Sequence, residues 1–135
     1  ATLRWADVDV YGHVNNARYL ELIDTAVNVY LARESGVDIR RLPAIGVVAE
    51  VGCKYFREVE YPGSVKLGIY GERLGNSSIV YRVGIFPATG DEDPSAEAAA
   101  EGRFVHVYVD NTDPDRPSLP IPSQIRAVVE PLAVR

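Results

Sequence analysis

Residues 4–33, RWADVDVYGHVNNARYLELIDTAVNVYLAR, join a short polar loop to the most apolar helical pattern in the chain. The loop holds two acids, a glycine, a histidine and two asparagines. A polar loop that runs directly into a buried helix places backbone N–H donors and a carboxylate beside an apolar wall. We therefore interpret this stretch as both the central core element and the candidate active site.

The helical interpretation rests on the spacing of the apolar residues that follow Asn16. They recur with the period of an α-helix and not with period two, at Tyr19, Ile23, Ala26, Val27, Tyr30 and Leu31. The apolar stripe is wide, so we expect most of the helix circumference to be buried. Asn15 or Asn16 can cap the first turn, and Gly36 stands where a left-handed C-terminal cap is expected.

Period-two patterns typical of β-strands dominate the rest of the chain. Four such runs cover residues 47–56, 64–70, 79–86 and 98–110. Turn signals separate them at Pro62-Gly63, at Gly75-Asn76 and in the acidic loop 87–94. Strands joined by short turns pair antiparallel. We therefore expect strands that follow one another in the chain to lie side by side.

The order of elements is a short strand, a long helix and then four long strands. This order predicts an α+β fold in which an antiparallel sheet wraps around one long central helix. A short final helix is predicted from Gln124 to about Glu130, capped by Ser123 and ended by Pro131. Residues 1–135 fit one domain, without repeats. The mixed outer face of the strands calls for a partner molecule, so we expect a homodimer or homotetramer.

Composition excludes several classes of function. The net charge is −5 without a dense basic run, which argues against nucleic acid as a partner. No apolar stretch of about 18 residues exists, so no membrane span is expected. The single cysteine, Cys53, agrees with a reducing cytoplasm, and one cysteine with two separated histidines argues against a structural zinc site. The chain begins at Ala1 without any methionine, so we expect its natural start to lie earlier.

The polar loop carries a specific pattern. Residues 7–20, DVDVYGHVNNARYL, fit D-x-D-x-x-G-H-V-N-N-x-x-Y-L. This pattern closely resembles the opening signature of the hotdog-fold acyl-CoA thioesterases, in the 4-hydroxybenzoyl-CoA thioesterase-like family. Residues 74–78 and 100–110 resemble strand starts of that family, and GHVNN resembles the members that act on long-chain acyl-CoA. The resemblance covers nearly the whole chain.

This resemblance implies a hotdog fold and an enzyme of fatty acid metabolism that hydrolyses a fatty acyl-CoA to the free acid and coenzyme A, without a cofactor or metal. By its position in the motif, Asp9 is the implied catalytic carboxylate, acting as nucleophile or as general base. The backbone N–H of Asn16 is the implied donor to the thioester carbonyl, helped by the helix dipole.

Other residues of the motif support the site in this interpretation. His13 and Asn15 are expected beside the substrate, His13 as a hydrogen-bonding support and Asn15 as a cap. Tyr19 is expected either in the core or in the pocket wall. Asp7 is interpreted as a structural acid that bonds the loop.

Further candidates lie on the strands. Lys54, Arg57 and Arg82 either contact the phosphates of coenzyme A or are simply solvated charges. Cys53 is expected to be a small core residue, because no base is near it in sequence. His106 is expected to be half-buried, with its hydrogen bonds satisfied.

Two other functions remain open at this point. A hotdog hydratase for enoyl thioesters pairs Asp and His five residues apart, whereas Asp9 and His13 are four apart and lack the accompanying Asn-Pro. A non-catalytic acyl-CoA-binding hotdog domain is the other alternative. The sequence leaves open the acyl chain length, whether the carrier is coenzyme A or acyl carrier protein, and whether an anhydride or general-base mechanism operates.

Overall fold

The computed structural model describes residue 3 and residues 16–57, 64–88 and 98–133. These residues form two α-helices, two short 3-10 helices and one sheet of four strands. In chain order the elements are α1 (Asn16–Ser35), a 3-10 turn (Ile39–Arg41), β1 (Ala44–Tyr55), β2 (Ser64–Leu74), β3 (Ser78–Ala88), β4 (Ala100–Asp110), α2 (Ser123–Val129) and a second 3-10 turn (Glu130–Leu132). The short strand predicted ahead of α1 lies outside the described residues.

The sheet is antiparallel throughout, as predicted, with the strand order β1-β4-β3-β2. The expectation that consecutive strands are neighbours is wrong for β1 and β2, which occupy opposite edges of this sheet. β1 instead pairs with β4, from Ala44 opposite Asp110 to Tyr55 opposite Ala100. A period-two pattern records which face each residue takes, and it carries no information about which strand lies alongside.

Helix α1 packs on one face of the sheet, which we call the inner face. Its fully buried side chains follow the helical period: Tyr19, Leu22, Ile23, Val27 and Leu31. The prediction that most of the circumference is buried is wrong, because Leu20 and Val29 are among several exposed positions. Among the described residues one sheet covers one side of the helix, and the opposite side faces outward.

Helix α1 packs tightly against the sheet at Gly102 of β4. Ile23 is fully buried there, and a β-carbon on residue 102 would overlap its Cδ1 atom and lie 3.0 Å from its Cγ1 atom. Towards the C-terminal end of β4 the next inner-face residues, Phe104, His106 and Tyr108, carry large side chains. The missing side chain at Gly102 therefore sets how close the helix comes to the sheet.

A β-bulge changes the face that the residues of β1 present. The register with β4 shifts between Val48 and Glu50, which leaves Ala49 without a partner. The uninterrupted alternation predicted for residues 47–56 is therefore wrong. Beyond the bulge, Val51 and Tyr55 point to the inner face, opposite Phe104 and Ala100, and both remain more than a third exposed.

The ends of the helices fit the predictions in part. Gly36 adopts a positive φ of 69°, which confirms the left-handed position predicted after α1. Ser123 does not cap α2: it is the first helical residue, and Pro122 holds the cap position without a side-chain hydrogen bond. The Tyr30 hydroxyl donates to the backbone oxygen of Val128 at 2.7 Å, which ties the two helices together.

The contact at Gly102 gives a stability prediction. Gly102→Ala should lower the free energy of unfolding by about 1–3 kcal/mol, because the new β-carbon would overlap Cδ1 of the buried Ile23 and force that side chain out of its packed position. Gly52→Ala on β1 is the matched control, since its β-carbon would meet nothing within 4 Å. We expect a change within about 0.5 kcal/mol for the control. Both are measured by urea denaturation.

A double-mutant cycle isolates the contact. Ile23→Val removes the overlapping Cδ1 atom, so Gly102→Ala should cost at least about 0.5 kcal/mol less in that background. Equal costs in both backgrounds would show that another contact sets the helix position.

Candidate active site

The candidate active site is centred on the first turn of α1. The described part of this helix starts at Asn16, the residue whose backbone N–H the resemblance implied as the carbonyl donor, and residues 4–15 ahead of it lie outside the described residues. The first N–H groups of any α-helix have no partner within the helix, and the dipole makes that end favourable for negative charge. Asp9, His13 and Asn15, together with Asp7, lie outside the described residues, as does the side chain of Asn16.

Tyr19 forms the apolar wall one turn into the helix. It is buried and meets the ring of Tyr55, at the end of β1, edge to face with the ring centroids 5.0 Å apart. Tyr55 is itself 45% exposed, and burial of the rest of its ring raises the pKa of its hydroxyl. The contact between the two rings extends the apolar wall from α1 to the edge strand β1. Tyr19 is a buried core residue, and its partner Tyr55 is part of the exposed surface.

Three other exposed apolar side chains lie close to Tyr19 or Tyr55 in the chain. Leu20 on α1 is 36% exposed, and Val51 and Phe56 on and after β1 are 39% and 57% exposed. The sequence did not mark these residues as a group. The bulge at Ala49 turns Val51 and Tyr55 to the helix side, and a bulge has no signature in a continuous run of alternating residues.

Cys53 packs beside this wall. It is half-buried against the core, and burial raises the pKa of its thiol above the ordinary value. Its Sγ atom lies 3.8 Å from the backbone oxygen of Lys54. A thiol kept protonated is a poor nucleophile, in agreement with the predicted packing role.

The three candidate cations are not equivalent. Lys54 and Arg57 are exposed and flank Tyr55 and Phe56 in the chain, and the backbone N–H of Arg57 donates to Ala99 at 3.0 Å. The described part of the chain offers Lys54 no ion pair. Arg82 lies two strands away on β3, on the face of the sheet opposite α1, which we call the outer face.

Arg82 is held by two carboxylates. Its Nη2 atom lies 2.9 Å from Oε1 of Glu72, and its Nη1 atom lies 3.3 Å from Oε1 of Glu101. The hydrogen bond from Arg82 lowers the pKa of the Glu72 carboxyl, and the Tyr70 hydroxyl donates to Glu101 at 3.2 Å. These contacts favour a structural role for Arg82 over a contact with phosphate.

The same network continues to the edge strand. Arg103 of β4 contacts Glu50 of β1 at 2.8 Å and Glu72 of β2 at 3.6 Å. Polar groups of all four strands are therefore joined across the outer face. The sequence shows these charges but not their pairing, because the partners are between 10 and 53 residues apart.

His106 departs from its prediction. It is 2% exposed, not half-buried, and its Nδ1 atom has no hydrogen-bond partner among the described residues. Phe104 and Tyr81 surround the imidazole with ring centroids at 4.7 and 5.6 Å. Burial lowers its pKa to about 4. The expectation of a satisfied residue is wrong: the rings of Phe104 and Tyr81 pack against the imidazole without a hydrogen bond, and the buried Tyr81 hydroxyl also has no partner among the described residues.

Metal ions and membranes are the remaining classes of partner. No group of three or more His, Cys, Asp or Glu side chains in the described ranges could hold a metal ion. No helix in those ranges is long and apolar enough to cross a membrane.

Comparisons with known proteins agree on one family. The model of the thioesterase-like superfamily matches residues 3–129. Among solved structures, the PA5185 protein of Pseudomonas aeruginosa is 39% identical to this chain with a TM-score of 0.87, and the alignment covers 98% of this chain and 88% of that one.

Two other solved structures are also similar. The PA2801 protein of Pseudomonas aeruginosa, for which thioesterase activity is a proposal, is 32% identical with a TM-score of 0.80 and coverage of 95% and 93%. A thioesterase of Thermus thermophilus, solved with coenzyme A and Zn, is 27% identical with a TM-score of 0.76 and coverage of 98% and 90%. No curated protein matches the chain.

Proposed function

The chain belongs to the thioesterase-like superfamily and is a thioester hydrolase, and from this premise we propose that it hydrolyses a long-chain fatty acyl-CoA to the free acid and coenzyme A. The observation that carries the proposal is the match of the thioesterase-like superfamily model over residues 3–129, a range that includes the loop motif and α1. The complex of the Thermus thermophilus thioesterase with coenzyme A supports the choice of carrier.

In the proposed mechanism the thioester carbonyl oxygen accepts a hydrogen bond from the backbone N–H of Asn16. The carbonyl becomes an oxyanion in the transition state, so a preorganised donor contributes most at that point. Asp9 either attacks the carbonyl carbon, forming an anhydride that water then cleaves, or removes a proton from the attacking water. In both routes coenzyme A leaves as the thiol and the acyl group as the acid.

The acyl chain is proposed to lie along the apolar wall that begins at Tyr19 and Tyr55. An aliphatic chain gains free energy when it leaves water and contacts exposed apolar surface. Such surface beside the reacting centre is therefore suited to the acyl chain. His13 and Asn15 complete the proposed substrate site, one as a hydrogen-bonding support and the other as a cap of the first turn. Lys54 and Arg57 are the proposed contacts of the coenzyme A phosphates, with Arg82 as the weaker candidate.

The proposal extends to the assembly and the location. We propose the hotdog arrangement, in which the sheet wraps around α1, and a homodimer or homotetramer in the cytoplasm. Support for the oligomer comes from Val48, Val51 and Tyr55, which are 49%, 39% and 45% exposed on the inner face of β1. Apolar surface at a sheet edge is costly to leave in water and is suited to a second copy. Support for the cytoplasm comes from the single, free Cys53.

Asp9→Asn should remove most of the turnover of a long-chain acyl-CoA, because an amide is neither a base nor a useful nucleophile. A loss of about 100-fold or more is expected, in the range of general acid–base contributions. Asp7→Asn is the matched control in the same loop and should cost less. Circular dichroism checks that both variants fold. A control variant that loses turnover while Asp9→Asn keeps it would reverse the two roles.

Asn16→Pro should cut turnover by about 100-fold, because proline deletes the N–H donor. Proline is tolerated at the first position of a helix, so the fold should survive. Asn16→Ala keeps the donor and should lose only cap stability, about 0.5–2 kcal/mol. The measurement is turnover of both folded variants on one acyl-CoA. Equal activity in the two would place the carbonyl elsewhere.

Lys54→Gln should raise the KM for acyl-CoA about 3- to 10-fold by removing a phosphate contact, with little effect on kcat. Arg82→Gln should leave the KM within about twofold, because its guanidinium is already bound by Glu72 and Glu101. Steady-state kinetics on the same substrate compare the two. The opposite pattern would assign the phosphates to Arg82.

A further inference from the structure

The imidazole of His106 is packed among aromatic rings on the inner face of the sheet. The residue is 2% exposed, and its ring centroid lies 4.7, 5.6 and 6.5 Å from those of Phe104, Tyr81 and Tyr108. On the neighbouring strand β1, a β-carbon on Gly46 would lie 3.1 Å from the Nδ1 atom. The rings and the main chain of β1 therefore leave the imidazole almost no contact with water.

The strands and helices around His106 bring few ionisable groups towards it. In the described part of the chain these groups are the hydroxyls of Tyr81 on β3 and Tyr108 on β4, and the guanidinium of Arg40, which lines the same space beneath α1. The other described neighbours do not ionise: Val48 and Gly46 on β1, Asn28 and Leu31 on α1, and Ile125 on α2.

None of these groups can compensate a positive charge on the imidazole. Burial raises the pKa of the Tyr81 hydroxyl and raises the pKa of Tyr108 to about 12, so both hydroxyls are neutral. Arg40 is itself a cation, and Asp38 binds its guanidinium through hydrogen bonds of 3.0 and 3.1 Å. A proton on His106 would therefore place an unpaired charge among aromatic rings, which is costly.

This environment makes the folded state bind a proton less readily than the unfolded chain does. Burial lowers the pKa of His106 from its ordinary value of 6.5 to about 4. In the unfolded chain the imidazole is in water and keeps the ordinary value. Between these two values the unfolded state binds more protons, so acid favours unfolding. The stability that the neutral imidazole contributes is complete above about pH 6.5 and is lost as the pH falls towards 4.

We propose that His106 is an acid-sensitive element of the fold, through which a fall in pH from 7 to 5 lowers the stability of the folded state. The residue lies on β4, which pairs on one side with β1 and on the other with β3, so its packing belongs to the centre of the core. A protein built in this way keeps its full stability only near or above neutral pH. The inference rests on the packing of β4 and does not depend on thioester hydrolysis.

Carboxylates respond in a different range of pH. Hydrogen bonds from Arg40, Arg82 and Thr112 lower the pKa of Asp38, Glu72 and Asp110 respectively. The ordinary values of these groups are 3.8, 4.5 and 3.8, so the stability they contribute is lost only as the pH falls through still lower values. The range from pH 7 to 5 therefore isolates the histidines.

The first test is an NMR titration of the imidazole signals of the folded wild type. The chain has two histidines, His13 and His106, and His106→Phe identifies their signals by removing one set. We expect the signals of His106 to keep the neutral form down to about pH 5. Protonation of His106 near pH 6.5 in the folded protein would overturn the proposal, because its imidazole would then not be excluded from water.

The second test is urea denaturation at pH 7 and at pH 5. One group with the two pKa values given above lowers the folding equilibrium constant about 20-fold between these conditions. His106→Phe keeps a ring among the rings and cannot bind a proton, so the constant should then change less than about threefold. His13→Gln is the matched control, and it should keep the full loss of the wild type.

Two results of the denaturation experiment would contradict the proposal. An equal loss in the wild type and in His106→Phe would show that other groups carry the acid sensitivity. A loss that disappears in His13→Gln and persists in His106→Phe would assign it to the loop ahead of α1. The NMR titration needs only the wild type once its signals are assigned through the backbone, so the proposal stays testable should His106→Phe fail to fold.

Discussion

The close approach of α1 to the sheet, where Ile23 fills the space above Gly102, is the contact on which the other features depend. It fixes both the height of the helix above β4 and its rotation about its own axis, because a buried branched side chain has few alternative positions. One turn towards the N-terminus, Tyr19 then meets Tyr55. Two turns towards the C-terminus, the buried Leu31 joins the same core. The contact of Ile23 with Gly102, in the middle of α1, thus helps to position both ends of the helix.

Local patterns predicted much of this framework. The helix from Asn16, the four strands and the left-handed Gly36 all follow from residue types and spacings within a few positions of one another. The partner of β1 and the bulge at Ala49 do not, because each depends on β4, some fifty residues later in the chain. The bulge decides which side chains face the helix, so alternation alone could not predict the apolar wall at Val51.

The same limit applies to the candidate site. A motif predicts that Asp9 and Asn16 act together, and the structure shows Asn16 within α1, with Asp9 outside the described residues. For Arg82, the sequence leaves a choice between a ligand and a structural ion pair. The choice depends on Glu72 and Glu101, whose carboxylates contact Arg82 only because β2, β3 and β4 lie side by side in the sheet. Charge type is visible in a sequence, but whether a charge is already paired is a property of the sheet.

The first-turn N–H groups of a helix and the buried Nδ1 atom of His106 on β4 are open hydrogen-bonding groups in opposite environments. The first-turn N–H groups of a helix carry a partial positive charge and reach outward, so a charge that develops only in a transition state suits them. Nδ1 of His106 is enclosed by rings, and an unpaired buried group of this kind costs about 1–3 kcal/mol. Because Nδ1 has almost no accessible surface, this cost is part of the packing of the core. A partly positive helix terminus is suited to stabilising negative charge, whereas a buried neutral imidazole is not.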